Sequence, residues 1–178
     1  MSLTAGWNEI PKNMARIQEI LRHGEFKKAM EWIDVLEKDR RFCGHGMGHL
    51  LDVARIAWID NLEQEAGFRK DVVYAAGLLH DVGKYLQYKE GIPHHISSEK
   101  LARQILADAG FDGDESAIIC QAILSHRDRA EAWTSPLGRM IYRADKISRP
   151  CYACAASAEC NCCLLYTSDA ADEEDSVD

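Results

Sequence analysis

The sequence predicts a single all-α domain, and three observations carry that expectation. Apolar residues recur at helical spacing along almost the whole chain. Gly, Pro and capping Asp or Ser residues punctuate these runs at intervals of helix length. No alternating apolar–polar run of strand length occurs. The length agrees, since 178 residues suffice for one hydrophobic core.

Taken in order, Met14, Ile17, Ile20 and Leu21 make a first apolar face, closed by Gly24. Phe26, Met30, Ile33 and Leu36 make the next. Leu50, Val53, Ile56, Ala57 and Leu62 line a third helix before Gly67. Asp71 is placed to cap a fourth that ends at His80. A polar loop with Gly83, Gly91 and Pro93 is expected after it. Ser97 or Ser98 is expected to cap a helix through Leu101, Ile105 and Leu106, stopped by Gly110. Asp114 starts the next, with Ile118, Ile119, Ala122 and Ile123. Pro136 suits a first helical turn before Leu137, Met140 and Ile141. Most of the tryptophans, and Tyr85, are expected in the core.

No apolar run approaches the length of a membrane span. The N-terminal stretch MSLTAGWNEIPKNM lacks the basic patch and apolar segment of a secretory signal. The expected location is therefore cytoplasmic, with no membrane partner, and the seven cysteines read as thiols or metal ligands rather than disulfides. The formal net charge is −8. Residues 163–178, beginning Cys-Leu-Leu-Tyr-Thr-Ser-Asp-Ala-Ala-Asp, resemble the conceptual translation of a transposase-type sequencing-library adapter. They are expected to be foreign to the fold, with the native C-terminus missing. Setting them aside leaves 23 acidic against 21 basic residues, so acidity does not identify a partner. No basic patch with interleaved aromatics appears, which argues against nucleic acid as a partner.

The stretch GLLHDVGKYLQY, Gly77–Tyr88, ends an apolar helix on His80 and Asp81. A carboxylate at the edge of an apolar run is costly to bury unpaired. Further candidate ligands sit near helix ends: His45 and His49, His94 and His95, His126, and Asp145. Mixed His and Asp donors suit borderline or hard divalent ions.

The order of these residues resembles the HD superfamily of metal-dependent phosphohydrolases. HLLDVARIA is similar to its first His motif and points to His49 rather than His45. LLHDVGK is similar to the signature, with His80 and Asp81, and YRADKIS to the closing motif, with Asp145. HHISSEKLARQIL resembles the segment supplying a middle His, in the register of His94, Ser98 and Ala102 rather than His95. AILSHRD resembles the fourth His-bearing helix and points to His126. The resemblance implies a helical HD domain over residues 41–150, with residues 1–40 as helices packed on it and 151–162 as a Cys-rich segment. It implies six metal ligands, His49, His80, Asp81, His94, His126 and Asp145, holding two divalent ions. Iron or manganese is expected first, with zinc, magnesium, cobalt and nickel as alternatives. In ligand order the chain is similar to bacterial di-metal HD hydrolases of dinucleoside polyphosphates. It lacks the Gly-Tyr-Pro motif of cyclic-dinucleotide phosphodiesterases.

The implied reaction is hydrolysis of a phosphoester or phosphoanhydride of a nucleotide or other small phosphorylated molecule by metal-activated water. Symmetrical dinucleoside tetraphosphate cleavage and a non-catalytic sensing module are the alternatives. Asp81 and Lys84 are the expected catalytic residues. Lys84, Arg127 and Lys146 are the expected substrate-binding cations. His45 and His95 are expected behind the ligands or on the surface. Cys151, Cys154 and Cys160, as C-x2-C-x5-C, form a candidate second metal site for zinc or an iron–sulfur cluster, its fourth ligand expected from Cys162 or from the missing C-terminus. Cys43 and Cys120 are expected in the core or near the site. Oligomeric state is not legible.

Overall fold

A computed structural model describes residues 14–149 together with Cys151, Cys154, Ala156 and Glu159. Trp7, Cys160, Cys162 and residues 163–178, each the subject of an expectation above, lie outside the described residues. The described helices are α1 (Ala15–Arg22), α2 (Gly24–Leu36), α3 (Met47–Glu63), α4 (Lys70–Leu79), α5 (Lys84–Glu90), α6 (His94–Asp108), α7 (Gly113–Ser125), α8 (Arg129–Ala132) and α9 (Pro136–Ile147). No strand occurs among the described residues, so the fold is all-α. None of the described helices is long and apolar enough to cross a membrane.

Helix α4 is the centre of the bundle. Every residue from Asp71 to Leu79 except Tyr74 is buried, as expected of a helix that is apolar on all sides. It packs on α3, α7 and α1, and α3 packs in turn on α9. Leu50 and Val53 of α3, Leu78 of α4, Ile105 of α6, Ile123 of α7 and Ile141 of α9 close the core without solvent exposure. The α3–α4 contact is close enough to require glycine. A Cβ on Gly77 would stand 2.6 Å from Ala54 Cα and 2.8 Å from its backbone nitrogen.

Several local expectations are corrected. Asp71 does not cap α4: the helix begins one residue earlier, with Arg69 as its N-cap. Asp71 instead lies buried in the first turn and accepts from Arg16 Nε and Nη2 at 2.9 and 2.7 Å and from Arg69 Nη2 at 3.1 Å. Arg16 also binds Glu115 of α7 and stacks 3.8 Å over the Phe111 ring. One guanidinium thus ties α1, α4 and α7 together. Glu115 holds that guanidinium above its ordinary pKa, burial opposes, and Asp71 adds to the rise. Ser97 and Ser98 do not cap α6, which starts at His94 after Pro93. Asp112, not Asp114, caps α7 and forms a capping box with Glu115. The segment after His80 is not all loop. Lys84–Glu90 forms α5, closed by Gly91 in the left-handed region at φ 72°. Pro136 does open α9, with Ser135 as its cap. Trp32 and Trp133 are exposed and Trp58 is half-buried. Leu36, Leu62 and Ile118 are likewise exposed; the first two lie in or next to the last turn of their helices. Tyr85 and Cys120 are buried as expected.

Two substitutions test this architecture. Arg16→Ala leaves the buried Asp71 carboxylate with only the exposed Arg69 as a charged partner. It is expected to lower stability by about 3 kcal/mol, the scale of a broken buried ion pair; urea denaturation of the variant, with Asp71→Asn added to close a double-mutant cycle, measures this. Gly77→Ala gains up to about 1 kcal/mol of helix propensity but sets a methyl group against the backbone of α3. Backbone cannot rotate aside, so overpacking at about 1–3 kcal/mol is expected to win. Thermal melts should show a net loss, and metal affinity should fall because His80 moves with α4.

Candidate metal centre

Helix ends deliver the candidate ligands. His49 lies in the first turn of α3, His80 caps the C-terminus of α4, and Asp81 follows in the turn. His94 opens α6, His126 caps the C-terminus of α7, and Asp145 lies in the last turn of α9. Helix ends carry unpaired backbone groups, and here those groups orient the ligands. His80 Nδ1 donates to Gly77 O at 2.7 Å, and His126 Nδ1 donates to Ile123 O at 2.6 Å. His94 Nδ1 donates to Gln87 Oε1 at 2.6 Å.

The six residues named above come together around Asp81. On one side, Nε2 of His49 and of His80 lie 3.7 and 3.3 Å from Asp81 Oδ2. The same two nitrogens lie 3.3 and 3.9 Å from Asp145 Oδ1. On the other side, Nε2 of His94 and of His126 lie 3.3 and 3.7 Å from Asp81 Oδ1. They stand 3.2 Å from each other. Donor atoms within each group, His49–His80–Asp81–Asp145 and Asp81–His94–His126, all lie within 4.8 Å of one another.

The chemistry of this donor set fits divalent cations. A carbonyl oxygen only accepts, so the Nδ1 contacts of His80 and His126 place the proton on Nδ1 and a lone pair on Nε2. The amide oxygen of Gln87 does the same for His94. Lone pairs of His94 and His126 therefore face each other and the Asp81 carboxylate. His80 Nε2, Asp81 Oδ1 and Asp145 Oδ1 are buried without a hydrogen-bond partner, a costly arrangement unless a cation accepts the electron pairs. Burial pushes the Asp81 carboxyl up, but His80, His126 and His49 outweigh it and hold it well below the usual carboxylate range. Asp145 is likewise held down, against burial, by His49 and His80. Burial pushes His94 down to about 3, with Asp81 opposing and Lys84 reinforcing. Ionised carboxylates beside a neutral imidazole are the protonation states that metal binding requires.

A cavity of about 230 Å³ is lined by Asp81, His94, His126 and Asp145, together with His45, Lys84, Arg127, Lys146 and Arg149. Lys84 Nζ stands 3.4 Å from His94 Nδ1, and Lys146 Nζ stands 3.2 Å from Asp145 Oδ2. Arg149 was not singled out by the sequence. It donates to Gly44 O at 3.1 Å and to His49 Nε2 at 3.1 Å, and lies 3.6 Å from Asp145 Oδ1. The ADKISR stretch after Asp145 was the available signal.

Of the neighbouring histidines, the donor groups contain His49 and His94 and neither His45 nor His95. His95 is half-buried and donates no ligand to either group. His45 is not on the surface. It is buried, its Nδ1 is paired with Glu37, and its Nε2 lies 3.9 Å from Asp81 Oδ2. Glu37 also accepts from His45 N at 2.6 Å and from Tyr88 Oη at 2.6 Å. Burial raises the Glu37 carboxyl, but these partners win and hold it near 2. The turn carrying the His-Asp pair is clasped to α6. Gly83 N donates to Ser98 Oγ at 2.8 Å, and Ser97 Oγ donates to Gly83 O at 3.0 Å. A Cβ on Gly83 would come within 2.3 Å of Ser98 N, which explains glycine at one position and serine at the other.

The HD domain family matches residues 46–149. An uncharacterized protein of Clostridium beijerinckii is 43% identical over 148 residues, covering 83% of this chain and 92% of that one. Ribonuclease Y of Enterococcus faecalis is 32% identical over 103 residues, 57% of this chain and 18% of that protein. A bifunctional uridylyltransferase/uridylyl-removing enzyme of Streptomyces coelicolor is 35% identical over 75 residues, 38% of this chain and 8% of that protein. The chain thus spans less than a fifth of these two named relatives. No solved structure matches. With two His/Asp donor groups sharing the Asp81 carboxylate, and with the family match spanning the helices that carry them, the chain belongs to the HD-domain family.

Proposed function

We propose that the chain is a metal-dependent phosphohydrolase of the HD superfamily, acting on a nucleotide or another small phosphorylated molecule. The observation that supports this most directly is the position of Asp81, with one carboxylate oxygen in each donor group. His49, His80 and Asp145 would hold one ion with Asp81 Oδ2, and His94 and His126 a second with Asp81 Oδ1. Divalent ions bound there supply acidity to water and positive charge to phosphoryl oxygens; the N and O donors suit iron or manganese.

The chain's own residues do the rest. The backbone and amide anchors of His80, His94 and His126 keep the Nε2 lone pairs directed inward. Lys84, Arg127, Lys146 and Arg149 give the cavity wall a cationic character that matches a phosphate-bearing substrate and offsets charge developing on its oxygens. Burial lowers the Lys84 pKa, with Asp81 opposing. The apolar core behind α4 closes the inner side of the site to water. A panel of nucleotides and dinucleoside polyphosphates, assayed with iron or manganese, tests the reading. Ion-dependent release of phosphate or nucleotide is expected. Full metal occupancy without turnover of any member would favour a sensing module instead.

Two variants separate the roles. Asp81→Ala removes the donor common to both groups, so it is expected to lose bound metal and drop to the background rate while circular dichroism stays helical. Wild-type turnover in this variant would end the assignment. Lys84→Ala is expected to keep its metal while turnover falls by roughly 10²–10³-fold, the scale of a lost transition-state donor. Elemental analysis beside the rate decides it: loss of metal along with rate would make Lys84 a support of the site rather than a partner of the substrate.

A further inference from the structure

Arg149 makes contacts that a bound ion would set against each other. Resting on the metal centre and the phosphate-bearing substrate argued above, we propose that Arg149 is an exchanging cation. It caps the His49 lone pair while the group His49–His80–Asp81–Asp145 holds no ion, and ion binding turns its guanidinium into the cavity as a phosphate ligand.

Ser148 and Arg149 follow α9 and engage both nitrogens of the His49 ring. Ser148 Oγ donates to Asp145 O at 2.8 Å. Its one proton is then spent, so it accepts from His49 Nδ1 at 3.3 Å. The His49 lone pair is therefore on Nε2. A guanidinium only donates, and Arg149 Nη2 donates to that lone pair at 3.1 Å. The same Nη2 lies 3.6 Å from Asp145 Oδ1. Arg149 Nη1 donates to Gly44 O at 3.1 Å, which anchors the guanidinium over the donor group.

The contrast within that group is informative. His80 Nε2 and Asp145 Oδ1 are buried without a hydrogen-bond partner, whereas His49 Nε2 has Arg149. One lone pair serves one partner, so an ion bound through His49 Nε2 takes the electron pair that Arg149 holds. It also sets a second positive charge beside the guanidinium. Both effects drive Arg149 from His49. Its outlet is the cavity, whose wall includes Arg149, Asp81 and Asp145 but neither His49 nor His80. Lys84, Arg127 and Lys146 stand in the same wall. A guanidinium fork released there matches phosphate oxygens. The ion thereby completes the cationic side of the cavity, and ion and phosphate are bound in that order.

Binding measurements test this without turnover. The full chain, stripped by a chelator, is titrated with manganese(II), and the free ion is counted by electron paramagnetic resonance. One binding step is expected to tighten roughly tenfold in Arg149→Ala, the scale of one charge-assisted hydrogen bond that the ion no longer displaces. Lys146→Ala is the charge control. It removes a cation 3.2 Å from Asp145 Oδ2 and leaves the contact between Arg149 and His49 in place, so a much smaller change is expected. On the manganese-loaded chain, calorimetry with inorganic phosphate should show binding weakened roughly tenfold in Arg149→Ala. Opposite signs for ion and phosphate mark the exchange, since a residue that only supported the fold would weaken both. Unchanged or weaker manganese binding in Arg149→Ala overturns the proposal, as does equal tightening in Lys146→Ala or unchanged phosphate binding. Manganese bound equally well by Asp81→Ala is a different result: it removes the metal centre itself, and this proposal with it.

Discussion

The Asp81 carboxylate is the constraint around which the fold is arranged. Its two oxygens face different sets of imidazoles, and it is almost wholly buried. A buried carboxylate is tolerable only when its lone pairs are matched. Here the matching imidazoles come from the adjacent His80 and from α3, α6 and the end of α7, which are remote from Asp81 in sequence. The bundle therefore has to bring four helix ends to one point. The all-round apolar character of α4, which ends where Asp81 begins, is what allows the other helices to approach from several sides.

Fixed anchors keep those ends in place. Gly77 lets α4 lie directly on α3, setting the distance between His80 and His49. Arg16 joins α1, α4 and α7 at the far end of α4 from the site. The metal-facing histidines hold their tautomers through the carbonyls of Gly77 and Ile123 and the amide of Gln87. Packing thus determines where the ligands stand, and hydrogen bonds determine which atom each one presents.

Much of this was legible in the sequence because the relevant signals are local. Helical periodicity marked the long helices, and the His-Asp pair with its flanking motifs marked six residues that the fold brings together. What was not legible depends on contacts across the chain. Asp71 has the composition of an N-cap, and only the approach of Arg16 turns it into a buried ion-pair partner. His45 looks like a spare neighbour of His49 until Glu37 and Tyr88 are seen to hold it. Arg149 follows the last motif in an irregular segment, where no period marks its direction. Helix α5 was hidden because seven residues between two glycines read more easily as loop.

The clasp between Gly83 and the Ser97–Ser98 step has a consequence for how the donor groups move. It joins the turn that bears His80 and Asp81 to the helix that bears His94. The two halves of the centre therefore share one rigid piece of backbone as well as one carboxylate. A displacement of α6 is therefore carried directly to Asp81, and one of Asp81 to His94, so neither donor group can shift without the other.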